Sequence, residues 1–222
     1  MNANRRECIR YVTPEGPEAE MQPGSHGRVL RNLLGITRKG DMDRAEYEAL
    51  LRVQKSFLQR IGPETRFTVE LIREMHRCWL GDIYSWAGSY RTVELQKGAF
   101  RWPPAYLVEC NMQTFESGLL RAHTPCPAEV LAQVARRIAE VHGELLLIHP
   151  FRDGNGRLAR WLADLMALQA GQPVPKYEFE KDPQGKRQSS YLTAVTRSYG
   201  QDYEALTVFF TEAIERRLAE GR

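Results

Sequence analysis

The stretch His149-Pro150-Phe151-Arg152-Asp153-Gly154-Asn155-Gly156-Arg157 lies between two segments of helical periodicity. Upstream, Pro127 to Ile148 places Leu131, Val134, Ile138, Val141, Leu145 and Ile148 at three-to-four spacing, the apolar face of one helix. Pro150 disfavours helical geometry at His149, so that helix is expected to end there. A second helix is expected from about Gly154 or Asn155 to Leu168, closed by Gly171 and Pro173. A helix, a short loop and a helix therefore occupy the middle of the chain and set its class.

The flanking sequence agrees with a mainly α fold. From about Asp43 an apolar stripe of Ala45, Leu50, Leu51, Phe57 and Ile61 predicts a helix stopped by Gly62-Pro63. Thr68 is placed to cap the next helix, which carries Leu71, Met75 and Trp79. Between Gly81 and Pro104 the pattern changes: Arg91 to Lys97 alternates like a strand, Gly98 follows, and Phe100 and Trp102 lead to Pro103-Pro104. That predicts a short hairpin or flap. Helical pattern resumes over Tyr106–Leu119 and, at the end of the chain, over Arg187–Ser198 and Asp202–Leu218. Residues 1–42 are rich in Gly, Pro and charge and read as a partly irregular lead, with Val29 to Leu34 pinned to the core. Residues 43–222 read as one domain.

Composition narrows the function classes. Of 222 residues, 42% are hydrophobic and 27% charged, which suits a soluble globular protein. The net charge, 31 − 28 = +3, gives no argument for nucleic acid or membrane partners, and Trp79, Trp86 and Trp102 are spaced for packing rather than base stacking. Cys8, Cys78, Cys110 and Cys126 are scattered, without metal-site spacing, and read as reduced thiols. The chain carries no apolar signal core and no run of the roughly twenty apolar residues that span a bilayer, so a cytoplasmic location is expected.

The central loop gathers the groups that phosphate chemistry needs. His149, at a helix end, supplies a neutral imidazole near pH 7 as a general base. Asp153 offers a hard oxygen to Mg²⁺. Gly154, Asn155 and Gly156 open the next helix with exposed N–H groups, where an anion is favoured. Arg157 and Arg160, three apart, are expected to share a face and both reach phosphate. Taken singly, His149 reads as a structural histidine and Asp153 as an N-cap; an ordinary helical corner, however, does not require His, Asp and two Arg together.

The motif resembles the Fic signature, in which His-Pro-Phe, any residue, Asp or Glu, and Gly-Asn-Gly-Arg follow one another. At about one chance in twenty per position, seven fixed positions recur by accident roughly once in a billion tries. Gly81-Asp82-Ile83-Tyr84-Ser85-Trp86-Ala87-Gly88, Arg91-Thr92-Val93 and Lys97-Gly98 are similar to the family's segment before and within its target-docking flap. The resemblance runs over roughly 43–218. It implies a Fic fold, a helical bundle with a β-hairpin flap over the active-site loop, and a protein adenylyltransferase using ATP and Mg²⁺.

The resemblance also implies roles. His149 would deprotonate a Tyr, Thr or Ser hydroxyl of a target protein for in-line attack on the α-phosphate. Phe151 would anchor the loop and Asp153 would hold Mg²⁺. Gly154, Asn155 and Gly156 would form the anion hole, Arg157 and Arg160 would grip the distal phosphates, and Tyr191 would lie on the adenine side. Glu94, Leu95, Gln96, Lys97 and Gly98 would align the target by strand addition; Glu94 and Gln96 depart from the Asn and Ser common in this flap. The intact Gly-Asn-Gly favours AMP transfer over the phosphotransfer of Doc-type relatives.

Many Fic proteins carry an inhibitory Ser/Thr-x-x-x-Glu-Gly/Asn helix. Here only Glu15 and Glu220 precede Gly, none precedes Asn, and the residues four before them are Tyr11 and Arg216. Restraint of Arg160 is therefore expected from a separate small antitoxin-like protein, and the toxin-like organisation implies a bacterial origin. Two other classes are weaker. A non-catalytic Fic-like interaction module would need a broken motif, and an HNH-like nuclease would need a ββα metal arrangement and a second histidine. No H-E-x-x-H of a metalloprotease occurs.

Overall fold

The helix expected upstream of the motif, α5 (Leu131–Ile148), turns a polar stripe of Gln133, Arg136, Arg137, Glu140 and Glu144 away from the core and buries most of the rest of its length. Val134, Ala135, Ile138, Ala139, Val141, Leu145, Leu146 and Ile148 all lie in the core, and α5 is the central helix of the bundle. It packs against α3 (Val108–Phe115), α6 (Asn155–Gln169), α7 (Lys186–Ser198) and α8 (Glu204–Glu220). The computed structural model describes residues 18–179 and 184–221; the sequence reading of residues 1–17, Glu15 included, lies outside them. Helix α5 begins four residues after the expected Pro127, with Val130, extended at ψ 144, as the residue that precedes its first turn.

Helix α1 (Lys39–Arg60) and α2 (Val69–Leu80) cover one side of this bundle, and α2 also meets α6. Thr68 caps α2 as its position suggested, its hydroxyl accepting from Leu71 N at 3.1 Å. The flap is shorter than the alternation from Arg91 implies: β1 (Gln96–Lys97) pairs antiparallel with β2 (Phe100–Arg101), with Gly98 at positive φ between them. Beneath it Val93, Leu95 and Trp102 form a small separate core. The helix expected over Tyr106–Leu119 is a composite of a 3₁₀ turn (Ala105–Leu107), α3, a π turn (Glu116–Leu120) that includes Gly118, and α4 (Arg121–His123).

The lead segment is less detached than its composition suggests. Residues 20–31 fold back on themselves through Gln22 N–Val29 O and Arg31 N–Glu20 O, both 2.9 Å. Val29 and Leu30 are buried, whereas Leu33 and Leu34 are 62% and 52% exposed, so only the first half of the expected pin enters the core. Glu18 reaches further. Its carboxylate accepts from Thr92 N at 2.6 Å and from the Thr92 hydroxyl, and its carbonyl accepts from Arg152 Nε at 2.6 Å. The lead thus touches both the flap base and the central motif.

Helices α5, α7 and α8 meet where α5 carries Gly143. A Cβ there would fall 2.6 Å from Ser198 Oγ and 3.2 Å from the Tyr203 ring. Gly143→Ala should therefore lower stability by about 1–3 kcal/mol through overpacking, although the same change in an open helix raises it. Thermal unfolding reads the sign directly, since 1 kcal/mol is worth roughly 2–4 °C at this size.

Candidate active site

His149 terminates α5 with a left-handed backbone, φ 52 and ψ 60. A non-glycine residue there is strained by about 1–3 kcal/mol and persists only where its surroundings impose it. Here the backbone N–H bonds Leu145 O at 3.0 Å, and the carbonyl accepts from Arg91 Nε at 2.8 Å. Nδ1 donates to Leu146 O at 3.0 Å, and the ring lies against Trp102 at 4.1 Å between centroids. Nδ1 being committed as a donor, Nε2 keeps the free lone pair. Burial drives the His149 pKa down to about 4, with the Leu146 carbonyl opposing and Arg91 assisting, so the imidazole is neutral at pH 7.

The loop after His149 is closed by its own residues. Asn155 grips the Phe151 backbone twice, accepting from Phe151 N at 2.9 Å and donating to Phe151 O at 2.7 Å. Phe151 is fully buried and stacks on His76 at 3.9 Å. His76 accepts from Gly88 N through Nδ1 at 2.8 Å and so donates through Nε2 to Asp153 O at 3.1 Å, binding α2, the flap approach and the motif together. Gly154 sits at φ 83, and a Cβ there would meet the Trp79 ring at 2.9 Å. Glycine is thus required at 154 for backbone and packing alike.

A cavity of about 470 Å³ opens beside His149. Its walls bring together His149, Asp153, Asn155, Gly156, Arg160, Lys97 and Tyr191, with Leu192, Val195 and Tyr199 making an apolar end. The N-terminus of α6, where the first N–H groups lack intrahelical acceptors, borders this space through Asn155 and Gly156. The Asp153 carboxylate is half exposed; one oxygen accepts from Gly154 N at 2.5 Å.

Arg157 does not share the cavity with Arg160, contrary to the sequence expectation. Its guanidinium bonds the buried Glu46 carboxylate at 2.6 Å and lies over Trp79, with Asp153 at 3.6 Å. Three residues on a helix turn the direction by about 60°, enough for one arginine to face α1 and the other the cavity. Sequence gave no sign of Glu46, which also holds the Tyr84 hydroxyl at 2.6 Å. Arg160 instead lies near the Phe179 and Tyr191 rings, at 5.6 and 6.0 Å.

The five flap residues also divide. Glu94 accepts from Ala105 N at 2.9 Å and Leu95 is buried, so both build the flap. Gln96 is tied to Gly98 O and Arg101. Lys97 lines the cavity and Gly98 makes the turn.

A model of the Fic/DOC family matches residues 66–167 of the chain. Protein adenylyltransferase VbhT of Bartonella schoenbuchensis is 26% identical over 211 residues; the match covers 95% of this chain but spans only 41% of that relative's length. A probable protein adenylyltransferase Fic of Salmonella typhimurium is 30% identical over 164 residues, covering 71% of this chain and 76% of that protein. Among solved structures, the BepC effector protein of Bartonella tribocorum with bound AMPPNP superposes with TM-score 0.64 at 18% identity, over 83% of this chain and 91% of that one. At that identity the likeness concerns the fold.

Three histidines are held neutral by burial: His76 and His149 pushed down to about 4 and His142 to about 3. Unfolded, each titrates near 6.5, so below that pH the unfolded chain binds protons the folded one refuses, and stability falls as pH drops toward 4. Asp164, raised by burial to about 7, opposes this, because its folded form gains its proton over the same range. From pH 7 to pH 5 each histidine costs about 2 kcal/mol and Asp164 returns a similar amount, a net loss of about 3 kcal/mol. Thermal unfolding at the two pH values should show a midpoint roughly 6–12 °C lower at pH 5; an unchanged midpoint contradicts the neutral assignments.

Proposed function

The chain belongs to the Fic/DOC family, and from that premise we propose that it is a protein adenylyltransferase, moving AMP from ATP to a hydroxyl of a protein target. One observation carries the reading: a neutral His149 with its Nε2 lone pair free borders a cavity that also holds a helix N-terminus and Arg160. Base, anion cradle and cation meet there. The relatives named protein adenylyltransferase and the AMPPNP-bound fold neighbour support it.

In this reading His149 Nε2 takes the proton of the target hydroxyl. The oxygen attacks the α-phosphorus of ATP, the bond from that phosphorus to the α–β bridging oxygen breaks, and pyrophosphate leaves. Gly156 and the first N–H groups of α6 stabilise charge on the phosphate oxygens, and Arg160 neutralises the distal phosphates. Asp153 suits Mg²⁺, since that ion takes one carboxylate with phosphate oxygens and waters. Among the described residues no cluster of three His, Cys, Asp or Glu could enclose a metal. Bound there, Mg²⁺ would offset charge on the α- and β-phosphates.

Arg157 is a scaffold in this scheme, fixing the loop to α1 through Glu46. The target would add along the two-stranded flap, whose strands each keep an unpaired edge, with Lys97 beside the reacting centre. Arg160 lies against the Phe179 and Tyr191 rings, with no ion pair among the described residues; in this reading its restraint falls to a separate small protein. No described helix is long and apolar enough to cross a membrane, and Cys78, Cys110 and Cys126 are free thiols, in keeping with work in the cytoplasm.

Incubation with α-labelled ATP, Mg²⁺ and a cell lysate should label a protein band, and His149→Ala should abolish that label. The labelling rate should stay flat from pH 8 to about 5 and fall as pH approaches the His149 value of about 4. Label from γ-labelled ATP alone would replace this reading with phosphotransfer, and no label from any nucleotide would favour an interaction module.

A further inference from the structure

Glu18 is a charged residue that the transfer chemistry above does not use, and it is 6% exposed. A carboxylate taken out of water is stable only where donors replace its hydration. Here one Glu18 oxygen accepts from Thr92 N at 2.6 Å and from the Thr92 hydroxyl as well. Bonds to an ionised acceptor are the stronger kind, and both come from a residue four positions before β1. Ala19 packs beside them on Val93, Leu95 and Trp102, the small core under the hairpin.

The same residue also holds the motif loop. The Glu18 carbonyl accepts from Arg152 Nε at 2.6 Å, and Arg152 is itself 2% exposed. Arg152 stands at the position of the motif that the Fic signature leaves to any residue, so this bond is particular to this chain. It borders the cavity together with His149 and Asp153. Thr92 in turn adjoins Arg91, whose guanidinium bonds the His149 and Val93 carbonyls at 2.8 and 2.9 Å. One residue, by its side chain and its main chain, therefore spans the two elements between which a target hydroxyl would lie.

Resting on the adenylyltransferase reading above, we propose that Glu18 is a positioning residue: it tethers Thr92 to Arg152 and so sets how the flap presents a target hydroxyl to His149. Arg91 attaches the flap to the loop at His149, and Glu18 attaches it a second time three residues further on. Two strands of two residues do not hold a geometry alone, so the second attachment decides the angle at which the flap stands. Displacing reacting groups by about 1 Å costs roughly a hundredfold in rate. The tether thus acts on transfer and leaves the contacts of the nucleotide in place.

Two measurements on the full chain test the tether. The first is hydrogen exchange of the segment 92–102, which needs neither nucleotide nor target. Glu18→Ala should speed that exchange about tenfold while α5 exchanges as in wild type; unchanged exchange overturns the tether. The second sets calorimetric ATP affinity, in Mg²⁺, against labelling of a lysate band from α-labelled ATP. Glu18→Ala should keep ATP affinity within about twofold and slow labelling about tenfold or more. Thr92→Val, at an exposed position, removes the hydroxyl bond alone and should slow labelling in the same direction; added to Glu18→Ala it should cost nothing more. Glu18→Gln, whose amide oxygen accepts the same two bonds, should label within about threefold of wild type. Faster exchange with undiminished labelling, or equal loss of ATP affinity and labelling, overturns the positioning role alone. A wild-type chain that labels no band overturns the adenylyltransferase reading, and exchange still decides the tether.

Discussion

Arg91 is the contact on which the site depends. Its side chain is buried, and it donates to four backbone carbonyls: His149 at 2.8 Å, Val93 at 2.9 Å, Pro103 at 2.6 Å and Ile148 at 3.4 Å. Its own N–H bonds Pro150 O at 2.8 Å. The carbonyls at the end of α5 have no intrahelical donors and carry the negative end of the helix dipole, so a cation there answers both deficits. The other two belong to the entry and exit of the flap. One planar guanidinium therefore fixes the flap relative to His149, a task that a lysine ammonium, without the rigid fork, does not match. Burial pulls the Arg91 pKa down, with Glu94 and Glu18 opposing.

This clasp explains why the strain at His149 is tolerable. A left-handed residue followed by proline has few ways to relax, and the Arg91 and Leu146 bonds remove those that remain. Trp102 adds a third constraint, because its Nε1 donates to Leu146 O at 2.9 Å while its ring lies on the imidazole. The flap is consequently not an independent hairpin, which two strands of two residues could not be. It is a short ribbon pinned at its base to the end of α5, where His149 sits.

Periodicity was enough to read α2, α6, α7 and α8 and the end of α5, since each stop has a local cause in Pro, Gly or a capping Thr. The composite helix through α3 was not legible, because a π turn depends on how the backbone accommodates its neighbours rather than on residue type. In the site, His149, Asp153, Asn155, Gly156 and Arg160 were readable because the loop is contiguous. Glu46, His76 and Arg91 were not singled out for the site: each reaches it from another element, and a buried charged or titratable residue leaves no mark on sequence until its partner is known. Glu18, read as part of an irregular lead, makes the same point from the opposite end of the chain.

The separation of Arg157 from Arg160 shows how charge is distributed. Glu46, itself buried, takes Arg157 as its counter-ion, so that cation is neutralised and serves to fix the motif loop against α1 and Trp79. Arg160 faces the rings of Phe179 and Tyr191, neutral partners that leave its charge uncancelled. The carboxyl one turn on, Asp164, is bonded to the Tyr177 hydroxyl at 2.7 Å and raised by burial to about 7, which reduces its pull on Arg160 near neutral pH. The loop thus has one arginine spent on structure and one whose charge stays available to an anion entering the cavity.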